Sequence, residues 1–138
     1  MIKYPSRIKQ VVDFSGFNEK IHPSDIDAVL EFDNKYLFLF EVKMQGVKTP
    51  IGQEFLLHRI ADVWQTNENI VPKTRQSFVV YCEHNTNNEE VVNLMNTTVV
   101  GVYHNKSIEN YNCNTYDLLK SIGKHYNINK LMVALNIK

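Results

Sequence analysis

Every second residue is apolar in two runs between Ile26 and Val42. Ile26, Ala28, Leu30 and Phe32 are apolar in one arm, and Tyr36, Phe38, Phe40 and Val42 in the next. The polar triplet Asp33-Asn34-Lys35 separates them. A period of two marks a strand, and two such runs around a short polar tip predict a β-hairpin. A three-residue tip pairs Phe32 with Tyr36, Leu30 with Phe38, Ala28 with Phe40 and Ile26 with Val42. On the other face it pairs Val29 with Leu39, Asp27 with Glu41 and Asp25 with Lys43. A slip of one residue would set Asp27 against Phe40, so the apolar pattern itself selects the register.

The rest of the chain divides by the same signals. Ser6 caps a predicted helix to about Phe14, and Phe17 to His22 reads as a short strand. The loop MQGVKTPIG follows the hairpin. A helix is then expected from about Ile51 to Gln65, with Leu56, Leu57, Ile60, Val63 and Trp64 as its apolar stripe and His58 and Arg59 pointing away. Asn67 to Gln76 is a polar connection. The nearly continuous apolar run from Ser77 to Glu83 suits a strand covered on both faces. Asn88 caps a predicted helix over NEEVVNLMN, Thr98 to Tyr103 reads as a buried strand, and Asn105 to Asn114 as a polar loop. Thr115 caps a helix to about His125, and the tail NKLMVALNI fits a helix or a strand equally well. Strands alternating with helices predict an α/β fold.

At 138 residues the chain is long enough for one domain with a real core. It contains no apolar run long enough to span a bilayer. The opening MIKYPSRIKQ lacks the apolar centre of a signal peptide, and two cysteines make no disulfide framework. Together these predict a cytoplasmic, reducing setting and no membrane partner. A net charge of zero neither favours nor excludes nucleic acid, which needs only local clustering of Lys and Arg.

The candidate chemistry follows from the register. Two carboxylates, Asp27 and Glu41, fall side by side with Lys43 one step along the same face. Like charges directly opposite destabilise a sheet, so the pair asks for a cation between them. Mg²⁺ takes a few carboxylates together with water and phosphate oxygens. A lysine beside such an ion can orient or deprotonate water, which is the equipment for phosphodiester hydrolysis. A competing metal reading is a zinc site from Cys82, His84, His104 and Cys113, whose spacing matches no common zinc motif. Gly-rich phosphate loops and nucleophile elbows are missing from the sequence.

Asp27, followed by Glu41-Val42-Lys43 at the end of the next strand, resembles the PD-(D/E)XK nuclease superfamily over about Pro23 to Gln53. The resemblance implies one domain over residues 1–138 with a restriction-endonuclease-like core, a mixed β-sheet flanked by helices. It implies Asp27, Glu41 and the Val42 carbonyl as ligands of Mg²⁺ or Mn²⁺, with Lys43 and Gln53 completing the catalytic set. Asp25 takes the place of Asp27 if the hairpin is bulged, and Glu19 stands where some members draw an extra acid. Lys48 and Arg59 are the candidate nucleic-acid contacts, though solvated surface charge is the plainer reading for both and for Glu19. The implied activity is metal-dependent endonuclease cleavage by a homodimer, with DNA ahead of RNA as substrate, and with junction resolution, nicking and defence-related cleavage all open. The apolar segment Leu131 to Leu135 is the candidate dimer interface. The alternative is an inactive module of the same fold that binds nucleic acid or protein.

Overall fold

The computed structural model describes residues 26–66, 75–86 and 91–137. The predicted helix over 6–14, the predicted strand over 17–22, and Glu19 and Asp25 lie outside the described residues.

Five strands form one sheet in the order β1-β2-β3-β4-β5: β1 (Ala28–Phe32), β2 (Tyr36–Met44), β3 (Gln76–His84), β4 (Thr98–His104) and β5 (Ser107–Asn114). Strands β2 and β3 are parallel, and the other three neighbouring pairs are antiparallel. The protein is therefore an α/β fold around a mixed sheet. Helix α1 (Ile51–Gln65) makes the crossover between the parallel strands and covers one face. Helices α2 (Thr115–Tyr126) and α3 (Asn129–Ala134) cover the other. No helix among the described residues is long and apolar enough to cross a membrane.

The hairpin register is the expected one from Phe32↔Tyr36 to Ala28↔Phe40. Asp33 and Asn34 both adopt positive φ (55° and 57°) at the tip, where the Lys35 N–H returns to the Phe32 carbonyl at 3.0 Å. The alternation of β2 divides the core in two. Phe38 and Phe40 join Phe78, Val80, Leu118 and Leu119 under α2, while Leu37 and Leu39 join Val79, Tyr81, Leu57 and Ala61 under α1. That double cover explains the unbroken apolar run of β3.

Several expectations are corrected. Strict alternation puts Ile26 on the α2 side, but it packs with the α1-side cluster. The ladder stops at Ala28, and the chain turns over one residue earlier than period two would have it. The face of α1 against the sheet is built on buried Leu57 and Ala61 with Ile60, Trp64 and His58 half-buried; Leu56 and Val63 are exposed. His58 therefore faces the sheet. In place of a helix over 88–96, the described part holds one 3₁₀ turn, Leu94–Asn96, capped by the Asn93 side chain on the Met95 N–H at 3.1 Å.

The predicted loop over 105–114 is strand β5, entered through an Asn105-Lys106 turn with positive φ at both residues (49° and 62°). Such a turn matches the twist of a two-residue hairpin. The cap of α2 is Asn114 rather than Thr115: its Oδ1 accepts the Tyr116 N–H at 2.8 Å. Thr115 is buried instead, and its hydroxyl meets that of Thr97 at 2.7 Å. The tail resolves as helix α3, and it is only partly free for an interface, since Leu131 is fully buried in the core.

Candidate active site

Glu41 lies near the C-terminal end of β2, where the parallel partner β3 and the start of α1 come together. In open α/β sheets this is the edge at which crevices form. Alternation carries Leu37, Leu39, Glu41 and Lys43 to the α1 side. The first two are core; Glu41 continues the line as a carboxylate only 1% exposed. A buried charge is costly unless it is paired and hydrogen-bonded. Both oxygens of Glu41 are engaged: Lys43 Nζ stands 2.8 Å from Oε1, and Gln53 Nε2 donates to Oε2 at 3.0 Å. Gln53 reaches it from the first turn of α1, one turn before buried Leu57.

A cleft of about 530 Å³ opens over this group, lined by Glu41, Lys43, Lys48, Glu54, Tyr81 and Glu83 among others. Lys48 is exposed at this cleft, whereas Arg59 is exposed on α1 and does not line it. Asp27 does not line it either. Its Oδ2 accepts the Val42 N–H at 2.7 Å, replacing the next rung of the β1–β2 ladder with a side-chain bond. The N–H and C=O of one strand residue point the same way, so the Val42 carbonyl faces the Asp27 side of β2. The structure thus brings Glu41, Lys43 and Lys48 to one cleft, ties Gln53 to Glu41 from α1, sets Asp27 beside Val42, and leaves Arg59 apart. Among the described residues, no three His, Cys, Asp or Glu side chains gather as a metal group.

The zinc reading is not supported by the placement of its residues. Cys82 is core and contacts the Thr115 hydroxyl at 3.5 Å; burial pushes its thiol pKa up. Cys113 pairs with Val99 at one end of β4, while His104 sits at the other end with Nδ1 on the Ser77 carbonyl at 2.9 Å.

A second polar set beneath α1 escaped the sequence reading. Tyr81 is the register partner of Glu41 on β3. Its hydroxyl lies 2.8 Å from His58 Nε2, and the His58 ring stacks on Tyr103 at 3.7 Å between centroids. The Tyr103 hydroxyl donates to both oxygens of Asp62, at 3.0 and 2.9 Å. Burial, and then the charges of Glu54 and Glu41, drive the Tyr81 pKa well up; burial and then Asp62 raise that of Tyr103 to about 12. Both phenols therefore stay protonated. The spacing of Glu54, His58 and Asp62 at four-residue steps was the available signal, because residues four apart share one side of a helix.

Burial lowers the pKa of His58 below its ordinary 6.5, against the opposing pull of Glu54 and Asp62. A group depressed on folding contributes stability that is present above its unfolded pKa and lost as pH falls through its folded pKa. The melting temperature is therefore expected to fall as pH drops below about 6.5. It should fall less steeply in His58→Gln, measured by thermal melts between neutral and mildly acidic pH. Parallel curves for the two proteins would show that His58 does not contribute to acid sensitivity.

Comparison with known proteins found no matching family model, no matching curated protein and no matching solved structure.

Proposed function

We propose that this chain is a metal-dependent nuclease that hydrolyses phosphodiester bonds in DNA, on a restriction-endonuclease-like core. The observation that carries the reading is the buried carboxylate of Glu41, gripped by Lys43 and Gln53 at a cleft that also holds Lys48. A fold gains little stability from a buried ion pair compared with apolar packing, so such a group at a cleft asks for a chemical reason. The chain order of hairpin, crossover helix and parallel strand in a mixed sheet supports that part of the reading.

The donor set fits the metal by its chemistry. Glu41, Asp27 and the Val42 carbonyl offer oxygen alone, which suits Mg²⁺ or Mn²⁺ and not a thiol-seeking ion. When bound there, the ion would supply charge neutralisation of the phosphate and acidification of a water. The chain's own residues do the rest. Gln53 fixes the plane of the Glu41 carboxylate, and the Lys43 ammonium, anchored on Oε1, orients the attacking water or steadies charge on the phosphate. Lys48 draws a phosphate towards the cleft. A homodimer belongs to this reading, since a duplex has two strands to cut. A monomeric mass by light scattering with cleavage intact would remove that part.

The second reading is a non-catalytic module of the same fold. It is favoured by one observation: Asp27 is held on the Val42 N–H while both Glu41 oxygens are engaged by neighbours. Supercoiled, linear, single-stranded and four-way DNA incubated with Mg²⁺, Mn²⁺ or EDTA separate the two. Cleavage that needs the metal and is lost in Glu41→Gln supports the nuclease. Binding of DNA without cleavage under any of these conditions, unchanged in Glu41→Gln, favours the module.

A further inference from the structure

We propose that the groove between β5 and α2 binds a small planar organic cation. The groove lies on the sheet face opposite the Glu41 cleft and encloses about 570 Å³. That is within the size range of small-molecule sites, about 300–1,000 Å³. It exists because α2 buries Leu118 and Leu119 over the central strands and leaves β5 uncovered. The α2-facing side of β5 forms one wall, through Glu109, Tyr111 and Cys113; α2 forms the other, through Asp117, Ser121 and Ile122.

Three features specify the ligand. The first is aromatic lining. Phe78 at the base stacks on His104 at 4.3 Å and meets the Tyr126 ring edge-on at 6.0 Å, and Tyr111 stands on the β5 side. The second is charge. Glu109 and Asp117 line the groove, and neither Lys nor Arg does. Two carboxylates over an apolar, aromatic base attract a cation and repel an anion. The third is the acceptor capacity of the two carboxylates. His104 Nε2 is already approached by Asn105 Nδ2 at 3.1 Å and by the Tyr126 hydroxyl at 3.5 Å, whereas each carboxylate has two oxygens that accept and no donor. Glu109 and Asp117 therefore suit a ligand rich in N–H groups. A flat delocalised cation meets all three demands, because it stacks on rings and is more weakly hydrated than an ammonium.

Proflavine, a planar tricyclic cation, is the probe, with neutral acridine and anionic anilinonaphthalene sulfonate as controls. Fluorescence titration should give saturable binding with a Kd on the order of tens of micromolar for a ligand of this size. Glu109→Gln combined with Asp117→Asn should weaken it roughly tenfold or more. Both carboxylates are exposed, so the variant is expected to fold. Cys113 supplies an independent readout in the unaltered protein, since it borders the groove while Cys82 is buried. Saturating proflavine should slow its alkylation by iodoacetamide several-fold. The proposal is overturned by any of three results. These are no saturable binding below about 1 mM, acridine or the sulfonate binding as tightly as proflavine, or proflavine binding that leaves Cys113 alkylation unchanged.

Discussion

Lys43→Ala is expected to cut phosphodiester cleavage roughly 10²-fold or more, the scale for loss of a positioned acid–base group. It should also destabilise the fold, for a separate reason. Glu41 is 1% exposed, and the Lys43 ammonium stands 2.8 Å from its Oε1. Removing one partner of a buried pair leaves a charge without its counter-ion, at about 3 kcal/mol or somewhat more. The Lys43 side chain keeps 29% of its surface in water, which holds the figure at the low end of that range. Glu41→Gln should abolish cleavage without a comparable stability loss, because a neutral amide leaves no buried charge behind. Initial rates on nicked plasmid and urea unfolding of the three proteins check both halves. Wild-type rates in Lys43→Ala would remove its catalytic role, and unchanged stability would mean that the pair is solvated.

Arg75→Ala should be the most damaging single change outside the cleft. Arg75 is 5% exposed. Its Nε donates to the Asn34 carbonyl at 3.0 Å and its Nη1 to the Trp64 carbonyl at 3.0 Å, while Nη2 holds the Asn34 side chain. The guanidinium also lies 4.2 Å over the Trp64 ring. One side chain thus ties the tip of the β1–β2 hairpin to the end of α1 and the start of β3. Hydrogen bonds from a charged donor contribute about 1.5–3 kcal/mol each, and the alanine variant would strip two carbonyls, in part-buried bonds, of their donor. A loss of about 3 kcal/mol or more is expected, seen as a lower urea midpoint at unchanged slope. Arg75→Lys should recover little, because an ammonium cannot fork between two carbonyls and stack on an indole together. Full recovery by lysine would reduce the effect to charge alone.

What the sequence revealed depended on whether one face of an element is buried. The hairpin register was legible because Phe38 and Phe40 must face one way and Leu37 and Leu39 the other. Buried β3 and β4 were legible for the same reason. Strand β5 was not: Ser107 to Asn112 are all exposed, and an edge strand with little to bury carries no period. The Asn105-Lys106 turn was its only signal. Ile26 and Asp27 went astray because alternation was extended one residue beyond the ladder, where a carboxylate takes the place of a backbone acceptor. Glu41, Lys43 and Gln53 were brought to one place by simple periodicity. His58, Tyr81 and Tyr103 were not, because an aromatic or a histidine on a mostly apolar face reads as core until its hydroxyl or ring nitrogen finds a partner. Arg75 was hidden in a polar connection for the same reason.

The lone parallel ladder among the described strands also governs the order in which the molecule can assemble. The hairpins β1–β2 and β4–β5 close through turns of three and two residues, events of microseconds. Joining β2 to β3 requires the chain to return over the whole of α1, and such non-local closure is slow because its entropy is lost before its contacts form. Glu41 and Tyr81 are register partners in that ladder. The cleft is thus completed only when two preformed halves of the sheet zip together, and a chain arrested before that step holds both hairpins but no site.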